Sequence, residues 1–193
     1  MMKRAVIVHC WDGTPNYCWY PWTKDELEKI GFSVQVPAMP ETEAPKLSLW
    51  LPALQKVIGK PDEDLYLIGH SIGCATIMRY LETLKDGEKV GGIILVAGFT
   101  DNLKFDELIN FFTTPLDFAK IKSSVVQGTY LIHSSDDPYV PVRYGEELRD
   151  KLSGKLIVLK NMGHFSGPVD NEKSCKQLPK VIKAVQDLSS FNI

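Results

Sequence analysis

The stretch that most constrains this chain is Gly69-His70-Ser71-Ile72-Gly73. It follows the apolar run Leu65-Tyr66-Leu67-Ile68 and precedes a helical pattern with Cys74, Ile77, Met78 and Leu81 on one face. Strand, sharp turn and helix form the context in which G-x-S-x-G acts as a nucleophile elbow. The turn strains the Ser71 backbone and pushes its hydroxyl out at the C-terminal end of the strand. The flanking glycines omit side chains that would collide with the adjoining strand and helix. The helix N-terminus then faces any anion formed at the hydroxyl. A tight strand-to-helix turn with Ser71 as a plain capping residue would use the same residue types.

The rest of the chain fits one architecture around that turn. Arg4 to His9 reads as a buried strand. Thr23-x-x-Glu26 reads as a capping box opening a helix that Gly31 closes. Phe32-Ser33-Val34-Gln35-Val36 alternates, as an edge strand would. Leu47, Trp50, Leu51, Leu54, Val57 and Ile58 keep helical spacing up to Gly59, which places Pro52 near the first turn. Further strands are expected at Gly92 to Ala97, Thr129 to His133 and Leu156 to Leu159. Helices are expected at Val142 to Leu152 and in a final segment carrying Leu178, Val181, Ile182 and Val185. The span from Gly98 to Gly128 is irregular and rich in Phe. Strands alternating with helices, without repeats, predict one α/β domain on a parallel sheet over residues 1–193. Ligands of such sheets sit at the C-terminal ends of strands. The turns at His9-Cys10-Trp11, Ser71, Asp137 and His164 each follow a strand and so should gather on one rim.

Composition excludes other classes. Lys and Arg number 22 against 24 Asp and Glu, a net charge of -2, so no nucleic-acid surface is expected. The apolar run after Met1-Met2-Lys3-Arg4 is too short for a signal peptide, and nothing is long enough to span a bilayer. Cys10, Cys18, Cys74 and Cys175 show no metal spacing, and the chain reads as reduced and cytoplasmic. Phosphate-loop, dinucleotide and H-E-x-x-H motifs do not occur, so neither metal nor cofactor is expected.

Ser71 needs a base. The partners of such an elbow follow it in the order acid, then His. Of four histidines, His9 precedes Ser71, and the His70 side chain is expected to point elsewhere. His133 ends a strand before the acid turn, so His164 alone fits the order. The acid belongs on the turn after the penultimate strand, where Asp136 and Asp137 both lie. Asp137-Pro138-Tyr139-Val140-Pro141 resembles the D-x-x-V-P turn of the α/β-hydrolases, which favours Asp137; Asp101 is a third candidate. An Asx-turn opening a helix would serve the same string. An oxyanion hole needs two backbone N–H groups, expected from Ile72 and Trp11. The usual His-Gly-x loop here carries Cys10 in place of Gly. His9, Cys10 and Phe112 are candidate pocket residues, and the aromatics from Tyr17 to Trp22 either line that pocket or pack.

These residues resemble the small serine hydrolases related to the retinoblastoma-binding hydrolase, a compact branch of the α/β-hydrolases. The resemblance runs along nearly the whole chain. It includes the elbow with Met78-Arg79-Tyr80 behind it, Phe112-Thr113-Thr114-Pro115, Lys120-Ile121-Lys122, Asp136-Asp137-Pro138 and Gly163-His164-Phe165. It implies Ser71 as nucleophile, Asp137 as acid and His164 as base. It also implies six parallel strands in the order 2-1-3-4-5-6, flanked by helices on both faces. The L-x-C-x-E motif associated with retinoblastoma binding has no counterpart around the four cysteines, so that role is not implied. The expected activity is carboxylester hydrolysis on small acyl groups, with an open site, since Gly98 to Gly128 leaves room for at most a small cap. Amide or peptide cleavage on the same residues and a non-catalytic binding role are the alternatives. The expected partner is a small ester or amide, with no nucleic acid and no membrane, and a monomer by default.

Overall fold

A computed structural model describes residues 2–167 and 175–190. The described residues form six strands: β1 (Arg4–Val8), β2 (Ser33–Gln35), β3 (Leu65–His70), β4 (Gly92–Val96), β5 (Thr129–Ser134) and β6 (Lys155–Leu159). They form one sheet in the order β2-β1-β3-β4-β5-β6, and every pairing is parallel. The sequence pattern explains the order. β3, β4 and β5 are buried at every position, as continuous apolar runs inside a parallel sheet must be. The alternating β2 lies at one edge with Val34 inward and Gln35 exposed. β6 forms the other edge, with Lys155 and Val158 exposed.

The helices are α1 (Tyr20–Lys29), α2 (Leu47–Ile58), α3 (Ile72–Glu82), α4 (Phe118–Ser123), α5 (Arg143–Leu152) and α6 (Pro179–Ser189). α1 packs with α6 on one face of the sheet, and α2 to α5 form the other layer. α3 is buried on all sides from Ile72 to Leu81, not on one face alone. It lies on β3 between α2 and α4.

Two helix starts differ from the sequence expectation. α1 opens at Tyr20, three residues before the expected cap, with Pro21 in its first turn. Thr23 is therefore inside the helix, where its N–H bonds the Trp19 carbonyl at 2.9 Å and its hydroxyl caps nothing. A proline in the first helical turn gives up only an N–H that would lack a partner there, and its fixed φ suits the helix. Pro52 lies in the second turn of α2 rather than the first. It occupies the exposed face, so the lost backbone bond falls on the side where water can replace it.

The irregular excursion between β4 and β5 contains a short 3-10 helix (Asp106–Phe111) and α4. One buried cation holds it down. Arg79 of α3 donates from Nε to the Phe111 carbonyl at 2.8 Å and from Nη2 to the Thr114 carbonyl. Its Nη1 meets Glu82 Oε2 at 2.9 Å, and Glu82 Oε1 accepts the Asp117 N–H at 2.6 Å. Asn110 extends the anchorage to α2, accepting from Leu47 N–H at 2.7 Å and donating to the Pro45 carbonyl at 3.1 Å.

The glycines of the central turn are set by contact. A Cβ on Gly73 would lie 2.2 Å from the Val8 carbonyl oxygen, and one on Gly69 2.8 Å from the Cys74 backbone. α3 thus approaches the end of β1 closely enough to exclude any side chain. Replacing a glycine by alanine inside a helix ordinarily stabilises it by about 1 kcal/mol. Gly73→Ala should instead destabilise the fold by about 3 kcal/mol, because the collision is with backbone that cannot rotate away. Urea unfolding checks this; an unchanged or raised midpoint would show that α3 and β1 are less closely packed than described.

Candidate active site

The C-terminal ends of β1, β3, β5 and β6 bring four turns to one rim. Ser71 sits between β3 and α3 with φ 56° and ψ -121°, a conformation costly for any residue with a Cβ. Its N–H bonds the Val96 carbonyl and its own carbonyl accepts the Cys74 N–H, both at 2.9 Å, so the turn is fixed from two sides. The side chain caps nothing in α3. The capping alternative for this serine therefore leaves the strained backbone without a reason.

His164 follows β6 in a turn that reverses sharply through Asn161, Gly163 and Phe165, all at positive φ. Its Nδ1 is 2.9 Å from Asp137 Oδ2. The other carboxylate oxygen of Asp137 accepts the Tyr139 and Val140 N–H groups, each at 2.9 Å, and its side chain is 1% exposed. A carboxylate only accepts, so His164 Nδ1 carries the proton and Nε2 is left with its lone pair.

The neighbouring Asp136 has a different task. Its Oδ1 accepts from Ser134 Oγ at 2.6 Å and from the Gly163 N–H at 3.1 Å, while Ser134 Oγ accepts the Met162 N–H at 3.0 Å. Asp136 thus grips the backbone of the turn that carries His164. The Ser134 hydrogen bond holds its carboxyl below the usual carboxylate range. Asp101 is engaged elsewhere, accepting the Tyr144 hydroxyl at 2.8 Å on both oxygens.

The other histidines are built into the interior. His9 donates from Nδ1 to the Cys10 carbonyl at 2.8 Å and accepts the Met39 N–H at Nε2 at 3.1 Å. Its ring meets Trp50 edge-on. His70 bonds Tyr20 and the His164 carbonyl. His133 lies in β5 against Gly145, with no hydrogen bond to either ring nitrogen among the described residues. Burial lowers the pKa of all three, that of His133 to about 4.

Ser71 and His164 open into one cavity of about 290 Å³. Cys10 and Trp11 from the loop after β1, together with Tyr17, form one wall. Leu103, Phe105 and Leu108 from the excursion form another, and Tyr139 stands beside His164 with ring centroids 5.2 Å apart. Of the sequence candidates for the pocket, Cys10 lines it. His9 is turned into the core, and Phe112 packs on Phe99 at 5.7 Å. The Tyr17 to Trp22 aromatics divide: Tyr17 lines the cavity, while Trp19 and Tyr20 are fully buried. Ser166, Tyr139 and the excursion residues had no sequence signal; their role depends on where the irregular segments fold.

In the loop after β1, the Cys10 N–H is taken by Tyr20 Oη at 3.1 Å and the Asp12 N–H by the Thr42 carbonyl at 2.9 Å. The Gly13 N–H returns to the Cys10 carbonyl at 3.1 Å. Among the described residues the Trp11 and Ile72 N–H groups have no such partner. No group of three or more His, Cys, Asp or Glu among the described residues could hold a metal ion, and no helix there is long and apolar enough to cross a membrane.

Residues 5–187 match the serine hydrolase family. The chain is 33% identical over 166 residues to YdeN of Bacillus subtilis, covering 86% of this chain and 87% of that protein. The crystal structure of the B. subtilis ydeN gene product superposes with a TM-score of 0.90 at 31% identity, over 97% of this chain and 99% of that one. Serine hydrolase RBBP9 of Rattus norvegicus is 32% identical over 190 residues, covering 94% of this chain and 95% of that protein. Alpha/beta hydrolase domain-containing protein 10 from mouse shares the fold at a TM-score of 0.67 and 13% identity, over 99% of this chain and 92% of that one.

The buried histidines make stability depend on pH. An unfolded histidine takes up a proton as pH falls through about 6.5, while these three stay neutral in the native state. The unfolded state then binds more protons, so stability is full above that pH and falls as pH drops, down to about 4 for His133. His133→Leu should flatten the decline between those limits by one proton, about 1.4 kcal/mol per pH unit. Urea unfolding at a series of pH values reads the slope; an unchanged slope would mean that His133 is already charged in the native protein.

Proposed function

Because this chain belongs to the serine hydrolase family, we propose that it hydrolyses small acyl esters through Ser71, His164 and Asp137. The observation that carries the proposal is the shared cavity: a strained serine outside any capping role, and a histidine whose Nδ1 is bound by a buried carboxylate, open into the same space. His164 Nε2 takes the Ser71 proton as Oγ attacks the ester carbonyl. Asp137 holds the tautomer this requires and stabilises the imidazolium that results. The oxyanion forms beside the Ile72 and Trp11 N–H groups, at the positive end of α3. His164 then returns the proton to the leaving alcohol, which departs. A water, deprotonated by His164 in turn, attacks the acyl carbon, and His164 passes that proton to Ser71 Oγ as the acid is released.

Cavity size supports the substrate class. Pockets for small molecules span roughly 300–1,000 Å³, and this one stands at the lower end. Its aromatic and aliphatic walls suit a short acyl or aryl group rather than a long lipid chain.

A fluorophosphonate probe tests the assignment. Wild type should be labelled on Ser71, and Ser71→Ala should fold normally and remain unlabelled. Asp137→Asn should lower kcat by about 10⁴ by reversing the His164 tautomer, as the equivalent change does in a serine protease. Asp136→Asn should cost far less, since it grips backbone rather than the imidazole. Equal labelling of Ser71→Ala, or a larger loss from Asp136→Asn than from Asp137→Asn, would contradict the proposal.

A further inference from the structure

Behind the cavity three buried hydrogen bonds run in a chain, and the proton direction of each follows from its partners. The His70 Nε2 is 2.7 Å from the His164 carbonyl oxygen, which can only accept, so Nε2 carries the proton. His70 is fully buried and its pKa is held well below the ordinary value, so the ring is neutral and Nδ1 is bare. The Tyr20 hydroxyl, 2.7 Å from Nδ1, must then donate to it. Burial keeps the Tyr20 proton in place, raising the phenol well above its usual range. Having donated, the Tyr20 oxygen uses a lone pair to accept the Cys10 N–H at 3.1 Å. Along these three bonds the donor and the acceptor are each fixed. Trp19 packs over both rings, with centroids 4.7 Å from Tyr20 and 5.7 Å from His70.

The ends of this chain are what give it meaning. One end is the residue before Trp11, and the other is the backbone of His164 itself. Its middle, His70, is covalently next to Ser71. Three segments far apart in sequence are tied by three hydrogen bonds that water cannot reach. Resting on the assignment of Ser71 and His164 above, we infer that Tyr20 and His70 are positioning residues, which set the oxyanion donor at Trp11 and the imidazole of His164 at a fixed separation across Ser71. Neither touches the reacting atoms. Their work is to prevent the two loops from drifting apart, and a drift of about 1 Å in such a site costs about 10² in rate.

The test uses kcat per active site, counted by fluorophosphonate titration, so that loss of folded protein does not enter. Tyr20→Phe keeps the ring packing and removes the hydroxyl that joins Cys10 to His70. It should lower kcat about 10² while KM for a short aryl ester stays within about twofold. His70→Leu should do the same, and His70→Gln, whose amide both donates and accepts, should recover much of the loss. The double variant Tyr20→Phe/His70→Leu should be no slower than either single one, because both break one chain. Wild-type kcat per titrated site in Tyr20→Phe, or losses that multiply in the double variant, would overturn the inference. Retained turnover in Ser71→Ala would instead overturn the assignment on which it rests. Should His70→Leu not fold, Tyr20→Phe and His70→Gln decide the matter alone.

Discussion

The backbone of Ser71 is where the structure concentrates its cost. A residue with a Cβ at φ 56° and ψ -121° stores on the order of 1–3 kcal/mol that the surroundings must supply. They do so by close approach. Gly69 and Gly73 let the start of α3 lie against the ends of β1 and β3 with no side chain between them. The Val96 carbonyl and the Cys74 N–H fix the peptide groups on either side of the serine. The buried α3 and the strand pairing of β1 with β3 and β3 with β4 hold the two sides of this one turn. The hydroxyl is thereby presented at the rim without being consumed in a cap.

A parallel sheet supplies the rest by geometry alone. Every strand ends on the same side, so each loop that follows one can contribute a group to the same space. The two adjacent carboxylates after β5 show how such a loop divides its work. Asp137 is buried, takes two backbone N–H groups on one oxygen and the imidazole on the other. Asp136 is exposed and fastens the turn from which the imidazole comes. The one orients a side chain, and the other orients the backbone that bears it.

Much of this was legible in the sequence because it is local or periodic. The elbow announces itself by glycines at fixed offsets, the edge strand by alternation at Val34, and the buried strands by unbroken apolar runs. The start of α1 differs from the sequence expectation because Thr23 and Glu26 have the spacing of a capping box, while Pro21 and the aromatic packing of Trp19 and Tyr20 set the start three residues earlier. The cavity walls at Leu103, Phe105 and Leu108 were not legible, since an irregular segment has no period to read. Nor was the chain from Cys10 through Tyr20 and His70 to His164. It joins residues 10, 50 and 94 positions apart, and nothing in the sequence marks a buried tyrosine as the partner of a distant histidine.

A hydrolase working through Ser71 must carry its acyl group on that residue during turnover. Rapid quenching of the protein with a short-chain p-nitrophenyl ester, followed by peptide mass analysis, measures this directly. A transient acyl adduct is expected on the peptide carrying Ser71, accumulating most strongly where deacylation is slowed. Hydrolysis at full rate with no adduct at Ser71, or with the acyl group on another residue such as Cys10, would contradict it.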